Sequence, residues 1–165
     1  MDEVSAPTIP KLASVAELAR LSKELAASGQ SLVFTNGCFD LLHVGHTRYL
    51  QAARELGDRL VVAVNGDRSV RALKGPGRPI NTEADRAEVL AALGCVDYLT
   101  IFNTPRVTDV IRAIRPQVYV KGGDYTVDSL DPDERAALQE AGTRIQILPL
   151  QPGKSTTGII ERWQR

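Results

Sequence analysis

Five apolar runs rich in Val, Ile, Leu, Phe and Tyr punctuate this chain: SLVFT (31–35), RLVVAVN (59–65), YLTIF (98–102), QVYVKGGD (117–124) and RIQILPL (144–150). Most of the intervals between them carry apolar residues at helical spacing. Strands with few polar alternations bury both faces, and strands joined through helices pair parallel. The pattern predicts one doubly wound α/β domain over residues 1–165 with a five-stranded parallel sheet, in which 1–30 form an N-terminal lead and helix. At 165 residues the chain is long enough to bury a core without staples.

Local signals punctuate the helices. Ser14-Val15-Ala16-Glu17 is a capping box ahead of Leu18, Leu21 and Leu25, with Gly29 as a stop. A second helix runs through Tyr49, Leu50 and Ala53 to Gly57, and Thr82-Glu83-Ala84-Asp85 opens another that stops at Gly94. VTDVIRAI (107–114) is helical. Asp131-Pro132-Asp133-Glu134 combines an N-cap, Pro at the first helical position and an acidic first turn, with Gly142 as its stop, and a last helix runs from the Ser155 region to Gln164. RALKGPGRPIN (71–81) is expected to be a loop.

Charge and cysteine content exclude several function classes. Lys plus Arg and Asp plus Glu are 20 each, so net charge gives no sign of long nucleic acid or an anionic membrane as partner. Two cysteines, Cys38 and Cys95, make neither a disulfide framework nor a four-thiolate zinc site. No apolar run approaches the roughly 20 residues of a spanning helix, and MDEVSAPTIPK lacks a signal-peptide pattern. The cytosol is the expected setting.

On a parallel sheet the loops after all strands emerge along one edge and converge on a ligand crevice. TNGCFDLLHVGH follows the first strand, NGDRS the second, FNTPR the third, KGGDY the fourth and QPGKSTTG the fifth. The only two histidines, His43 and His46, lie three apart at the start of a helix, where free N–H groups and the dipole favour an anion. That anion is most simply a phosphate, and Gly45 clears the approach. A zinc site would want a third ligand, which is missing, so no resident metal is assigned. GKST (153–156) resembles the tail of a P-loop, but position 148, where that motif needs glycine, is Leu. Ser155, Thr156 and Thr157 are instead expected to meet phosphates at a helix N-terminus. Arg71, Lys74 and Arg78 are candidates to swing charge over a polyphosphate or its acceptor. Lys121, with Gly122, Gly123 and Asp124, ends the fourth strand, Asn65 ends the second, and Asp67 lies in the loop that follows it. Asp40 either holds Mg²⁺ through water or caps the following helix.

HVGH (43–46) together with STTGII (155–160) resembles the cytidylyltransferase-like nucleotidyltransferase superfamily, a Rossmann-like fold, over nearly all of residues 31–163. FTNGCFDLLHVGH, LGDRLVVAVNGDRSVRALKGPGRPIN, VKGGDY and STTGII are similar to the adenylyltransferases of bacterial ADP-heptose synthesis, of which this chain looks like the stand-alone form. The glycerol-3-phosphate cytidylyltransferase type is the alternative. Its usual Gly-Thr-Phe-Asp, Arg before Val-Asp, and Arg-Thr-x-Gly-x before Ser-Thr-Thr are replaced here by Gly37-Cys38-Phe39-Asp40, by Gly94-Cys95 before Val96-Asp97, and by Leu150-Gln151-Pro152-Gly153-Lys154. Gly66 stands where the heptose type usually has Ser. A catalytically silent nucleotide-binding module is a further alternative.

The resemblance implies ATP as co-substrate with Mg²⁺, a sugar phosphate as acceptor, and a homodimer. It implies that Thr35, Asn36, Gly37, Cys38 and Phe39 line the nucleotide, largely through backbone groups. His43, His46, Lys74, Ser155 and Thr156 are then the catalytic set. A sugar 1-phosphate is already an anion, so no general base is required.

Overall fold

The computed structural model describes residues 8–123, 125–149 and 152–164. In chain order the elements are α1 (Val15–Ala27), β1 (Leu32–Gly37), α2 (Val44–Arg54), β2 (Arg59–Asn65), α3 (Asp67–Lys74), α4 (Glu83–Ala91), β3 (Tyr98–Phe102), α5 (Thr108–Ile114), β4 (Val118–Gly122), a 3₁₀ turn at Val127–Ser129, α6 (Pro132–Ala141), β5 (Arg144–Leu148) and α7 (Thr156–Trp163). The five strands form one sheet in the order β3-β2-β1-β4-β5, all neighbours parallel. This is the doubly wound, Rossmann-like α/β arrangement.

Alternation along each strand divides the core in two. Phe34, Val61 and Tyr119 face α1, α5 and α6, where they pack with Leu18, Ile111 and Leu138. Their sequence neighbours Val33, Val62 and Val120 point the other way, onto Leu50 and Ala53 of α2 and Leu90 of α4. Burial on both faces is why the strands read as continuous apolar runs.

The caps expected from sequence form. Ser14 and Glu17 exchange hydrogen bonds at the start of α1, Asp131 accepts from the N–H groups of Asp133 and Glu134, and Gly142 closes α6 at φ +68°. Two differences stand out. The segment 71–81, expected to be a loop, begins inside a helix: α3 runs through Lys74 and ends only where Gly75 turns at φ +90°. The glycines that signalled a loop mark the helix stop. The N-terminal lead also adds an isolated parallel bridge, Leu12 to Leu99, along the outer edge of β3. Among the described residues no helix is long and apolar enough to cross a membrane.

β1 leads outward through β2 to β3, and the chain then returns to place β4 on the other side of β1. The crossovers from β1 and β4 leave in opposite directions, and a crevice opens between their carboxyl ends.

Candidate active site

Beyond β1 the chain doubles back at Phe39, whose backbone lies in the left-handed region at φ +48°. The turn brings the Phe39 ring edge-on to His46, with centroids 5.3 Å apart. His43 becomes the N-cap of α2. The N–H of Gly45 donates to His43 Nδ1 at 3.1 Å, and the N–H of His43 donates to His46 Nδ1 at 3.4 Å. The three-residue spacing is thus a capping box made of imidazoles. The rings stack with centroids 3.9 Å apart.

This pairing decides what the histidines can do. A neutral imidazole that accepts at Nδ1 carries its proton on Nε2. Burial, reinforced by repulsion from a charged His43, pushes His46 down to about 4, and burial with the nearby Lys154 lowers His43 as well. At neutral pH the site therefore holds two uncharged Nε2–H donors. Gly45 is needed for a steric reason: a Cβ there would stand 2.8 Å from His43 Cε1 and 3.1 Å from Lys154 Cβ.

The histidines line a crevice of about 710 Å³, within the usual range for ligand sites. Among the described residues, Arg48, Lys74, Arg78, Arg106, Lys121 and Lys154 line it against the carboxylates of Asp40 and Glu134, so a chain of zero net charge concentrates positive charge here. Facing α2 is the N-terminus of α7, whose N-cap Ser155 accepts from Gly158 N–H at 3.0 Å. The Thr156 hydroxyl donates to Leu41 O at 3.1 Å, fastening α7 to the loop that carries the histidines. Its proton serves position rather than ligand donation. Ser155 keeps its own O–H, and the first N–H groups of α7 are left without intrahelical partners.

Asp40, a candidate for Mg²⁺ or for capping α2, does not cap α2; His43 takes the cap. Its carboxylate is buried and accepts from Ile80 N–H and Asn81 N–H, both at 2.9 Å, and from Arg78 Nε at 2.8 Å. Burial alone would raise this carboxyl, but the Asn81 and Ile80 N–H groups and the Arg78 guanidinium outweigh it and hold it below the usual range. Asp40 pins the segment that returns from α3, and Arg78 is partly spent on that pin. Among the described residues no three His, Cys, Asp or Glu side chains cluster to hold a metal ion. A Mg²⁺ accompanying a nucleotide would find no ready protein cage among them.

Arg86, which the sequence reading passed over, is the largest fully buried side chain. Its Nη1 donates to Cys38 O and Asn65 O, both at 2.6 Å, its Nε to Asn81 O at 3.1 Å, and its Nη2 to Asp67 Oδ1 at 2.8 Å. One guanidinium thus joins the ends of β1 and β2, the start of α3 and the entry to α4. Its place on the α4 pattern reads as polar, so periodicity hides its burial.

The structure also explains Gly66. A Cβ at this N-cap of α3 would overlap the Asn103 side-chain amide, and the Glu83 carboxylate instead accepts from Asp67 N–H at 2.7 Å. A carboxylate from α4 does the work that an N-cap hydroxyl would do.

The remaining candidates divide. Asn36, Gly37, Cys38, Phe39, Asn65, Gly122 and Thr157 line the crevice, as do Lys74, Arg78 and Lys121. Burial raises the Cys38 thiol, despite the nearby Lys74. Asn65 is nearly enclosed, with Nδ2 donating to Ser69 Oγ at 2.9 Å. Thr35, Asp67, Arg71 and Gly123 are not among the lining residues. The Thr35 side chain is buried between Tyr49 Oη, at 2.6 Å, and Val120 O, at 3.0 Å, while Asp67 turns to Arg86 and Gly123 N–H to Leu148 O at 3.0 Å. Arg71 projects from α3 and is exposed. Asp124 lies outside the described residues. Besides Arg86, the sequence reading missed Tyr49, whose ring floors the crevice under Gly122, and Lys154, which it weighed only as a P-loop lysine. The GKST run was the available signal for Lys154.

The cytidylyltransferase-like family profile matches residues 34–162. The bifunctional protein HldE of Syntrophotalea carbinolica is 50% identical over 134 residues, covering 81% of this chain and 27% of its own length. HldE of Geotalea uraniireducens is 49% identical over 152 residues, covering 92% of this chain and 31% of its own. The chain therefore spans under a third of these relatives. Among solved structures, the lipopolysaccharide core biosynthesis protein of Thermoplasma volcanium superposes with a TM-score of 0.60 at 27% identity, over 74% of this chain and 98% of that one. Pantoate-beta-alanine ligase of Francisella tularensis, with a TM-score of 0.56 at 14% identity over 88% of this chain and 68% of that one, shares the fold. This chain belongs to the cytidylyltransferase-like family and is a nucleotidyltransferase.

Proposed function

We propose that residues 1–165 act as one nucleotidyltransferase unit that transfers the adenylyl group of ATP to D-glycero-β-D-manno-heptose 1-phosphate, yielding ADP-heptose and pyrophosphate. An oxygen of the sugar phosphate attacks the α-phosphorus. The new O–P bond forms as the bond to the β-phosphate bridging oxygen breaks, and pyrophosphate leaves with that electron pair. The acceptor is already ionised, so the site must align and neutralise rather than remove a proton.

The observation that carries this reading is the pair of Nε2–H donors created by the interlocked imidazoles, facing the N-terminus of α7 across a cationic crevice. His43 and His46 would donate to the α and β phosphates, with Lys74, Lys154 and Ser155 holding the remainder. Bound phosphate would raise both histidines toward the imidazolium form, and either form donates. Mg²⁺ would come with the nucleotide, bound to its phosphates. The heptose assignment rests on the likeness to HldE and to the lipopolysaccharide core biosynthesis protein. Supply of heptose for surface glycan, a cytosolic setting and a homodimer belong to the same reading.

Pyrophosphate release from ATP or CTP, each with heptose 1-phosphate or glycerol 3-phosphate, tests it. Turnover with ATP and the heptose is expected. Turnover confined to CTP and glycerol 3-phosphate would replace the substrate assignment, and tight ATP binding without turnover on any sugar phosphate would leave a silent module. Sedimentation of the purified chain tests the homodimer.

A further inference from the structure

The wall of the crevice opposite the histidines holds a carboxylate that phosphate chemistry does not explain. Glu134, in the first turn of α6, is only 7% exposed yet lines the crevice. It is not needed as a helix cap, because Asp131 already accepts from the N–H groups of Asp133 and Glu134. It forms none of the ion pairs seen among the described residues; Arg106 pairs with Asp131 at 3.0 Å instead, and Lys121 lies over the Tyr125 ring, 4.8 Å from its centroid. The contact it does make is with Val107 N–H at the head of α5. A carboxylate offers about four acceptor sites, so among the described residues most of its capacity is unspent. Burial lifts its pKa above the ordinary range, opposed by Lys121 and Arg106.

These neighbours select the ligand group. A phosphate would be repelled by the carboxylate. An amine would meet Lys121 and Arg106. A neutral, hydroxyl-rich group suits both, since vicinal hydroxyls can donate to one carboxylate while their oxygens accept from the Lys121 and Arg106 cations. Asn36 adds a matching donor: its Oδ1 accepts from Tyr119 Oη at 3.0 Å, which leaves Nδ2 for a ligand. Tyr125, 45% exposed, offers a ring face to a sugar.

We propose that Glu134, with Asn36 and the Tyr125 ring, forms the subsite for the polyol part of the acceptor and sets specificity for a sugar phosphate whose far end is uncharged. The sugar spans the crevice, its phosphate toward α2 and its hydroxyls toward the head of α6. This rests on the adenylyl-transfer reading above.

Glu134→Gln tests the subsite, because the amide keeps the size and one acceptor oxygen and loses the charge. With heptose 1-phosphate as the varied substrate, its KM should rise about 10–100-fold, the value of hydrogen bonds to a charged acceptor. KM for ATP should stay as in the wild type and kcat at saturating acceptor should remain within about threefold, a split that loosened packing of α5 on α6 would not produce. An unchanged acceptor KM overturns the subsite while leaving adenylyl transfer intact. If the wild type releases no pyrophosphate with any sugar phosphate, the adenylyl-transfer reading fails and calorimetric titration of heptose 1-phosphate decides the subsite. Binding weakened at least about tenfold by Glu134→Gln supports it, and equal binding, or none to the wild type, overturns it.

Discussion

Replacing Arg86 with Met is the sharpest test of how the crevice is built. The side chain is fully buried, and Met keeps the apolar stem while removing every donor. Cys38 O and Asn65 O, each 2.6 Å from Nη1, lose that donor. An acceptor left buried and unpaired costs about 1–3 kcal/mol, and breaking a buried ion pair by removing one partner costs about 3–5. The Asp67 side chain is 33% exposed, so water recovers part of its loss. The expected destabilisation is about 3–4 kcal/mol, which for a chain of this size lowers Tm by roughly 10 °C. Arg86→Lys keeps the charge but not the planar fork and should fall between. Urea unfolding of the three proteins gives the free energies, and nucleotide titration shows whether the ends of β1 and β2 have moved. A loss below about 1 kcal/mol in the Met variant would refute the claim that this guanidinium holds those ends together.

His46→Ala should lower turnover by about 10²–10³, the effect of losing one transition-state donor; wild-type turnover would remove His46 from the mechanism. Its titration should also appear in stability. The folded group is depressed from 6.5 to about 4, so the unfolded chain takes up the proton first. Stability is then full above pH 6.5 and declines as pH falls toward 4, by on the order of 1–3 kcal/mol relative to His46→Asn; parallel pH profiles would contradict this. Gly45→Ala puts a Cβ into the His43 ring, and kinetics should show at least a tenfold loss of kcat. Gly66→Ser should destabilise, because its Cβ meets both the Asn103 amide and the Glu83 carboxylate that already serves the start of α3, and adding Asn103→Ala should recover only part of the loss. Denaturant unfolding of the single and double variants reads both.

The histidine pair was legible because its two constraints are local. A spacing of three, a glycine and a preceding strand define an N-cap, and the cap geometry then forces both Nδ1 atoms onto backbone N–H groups. The place of Ser155 at the head of a helix was legible for the same reason. Asp40 was not: its partners, Ile80 and Asn81, lie forty residues away on a segment whose path only the folded chain defines. Thr156 likewise carried a hydroxyl that sequence assigns to phosphate and that the fold gives to Leu41.

Periodicity, capping residues and continuous apolar runs by themselves determined the five parallel strands, most helix boundaries and the edge on which ligand loops gather, since each depends on neighbours a few residues apart. The tertiary structure alone decided which polar groups face the crevice and which are consumed in building it. Arg86, Asp67 and Thr35 are consumed, while Glu134 and Lys154 are brought to its walls. The physical reason is that a buried donor or acceptor must find a partner wherever the fold places one, and sequence spacing carries no record of where that is.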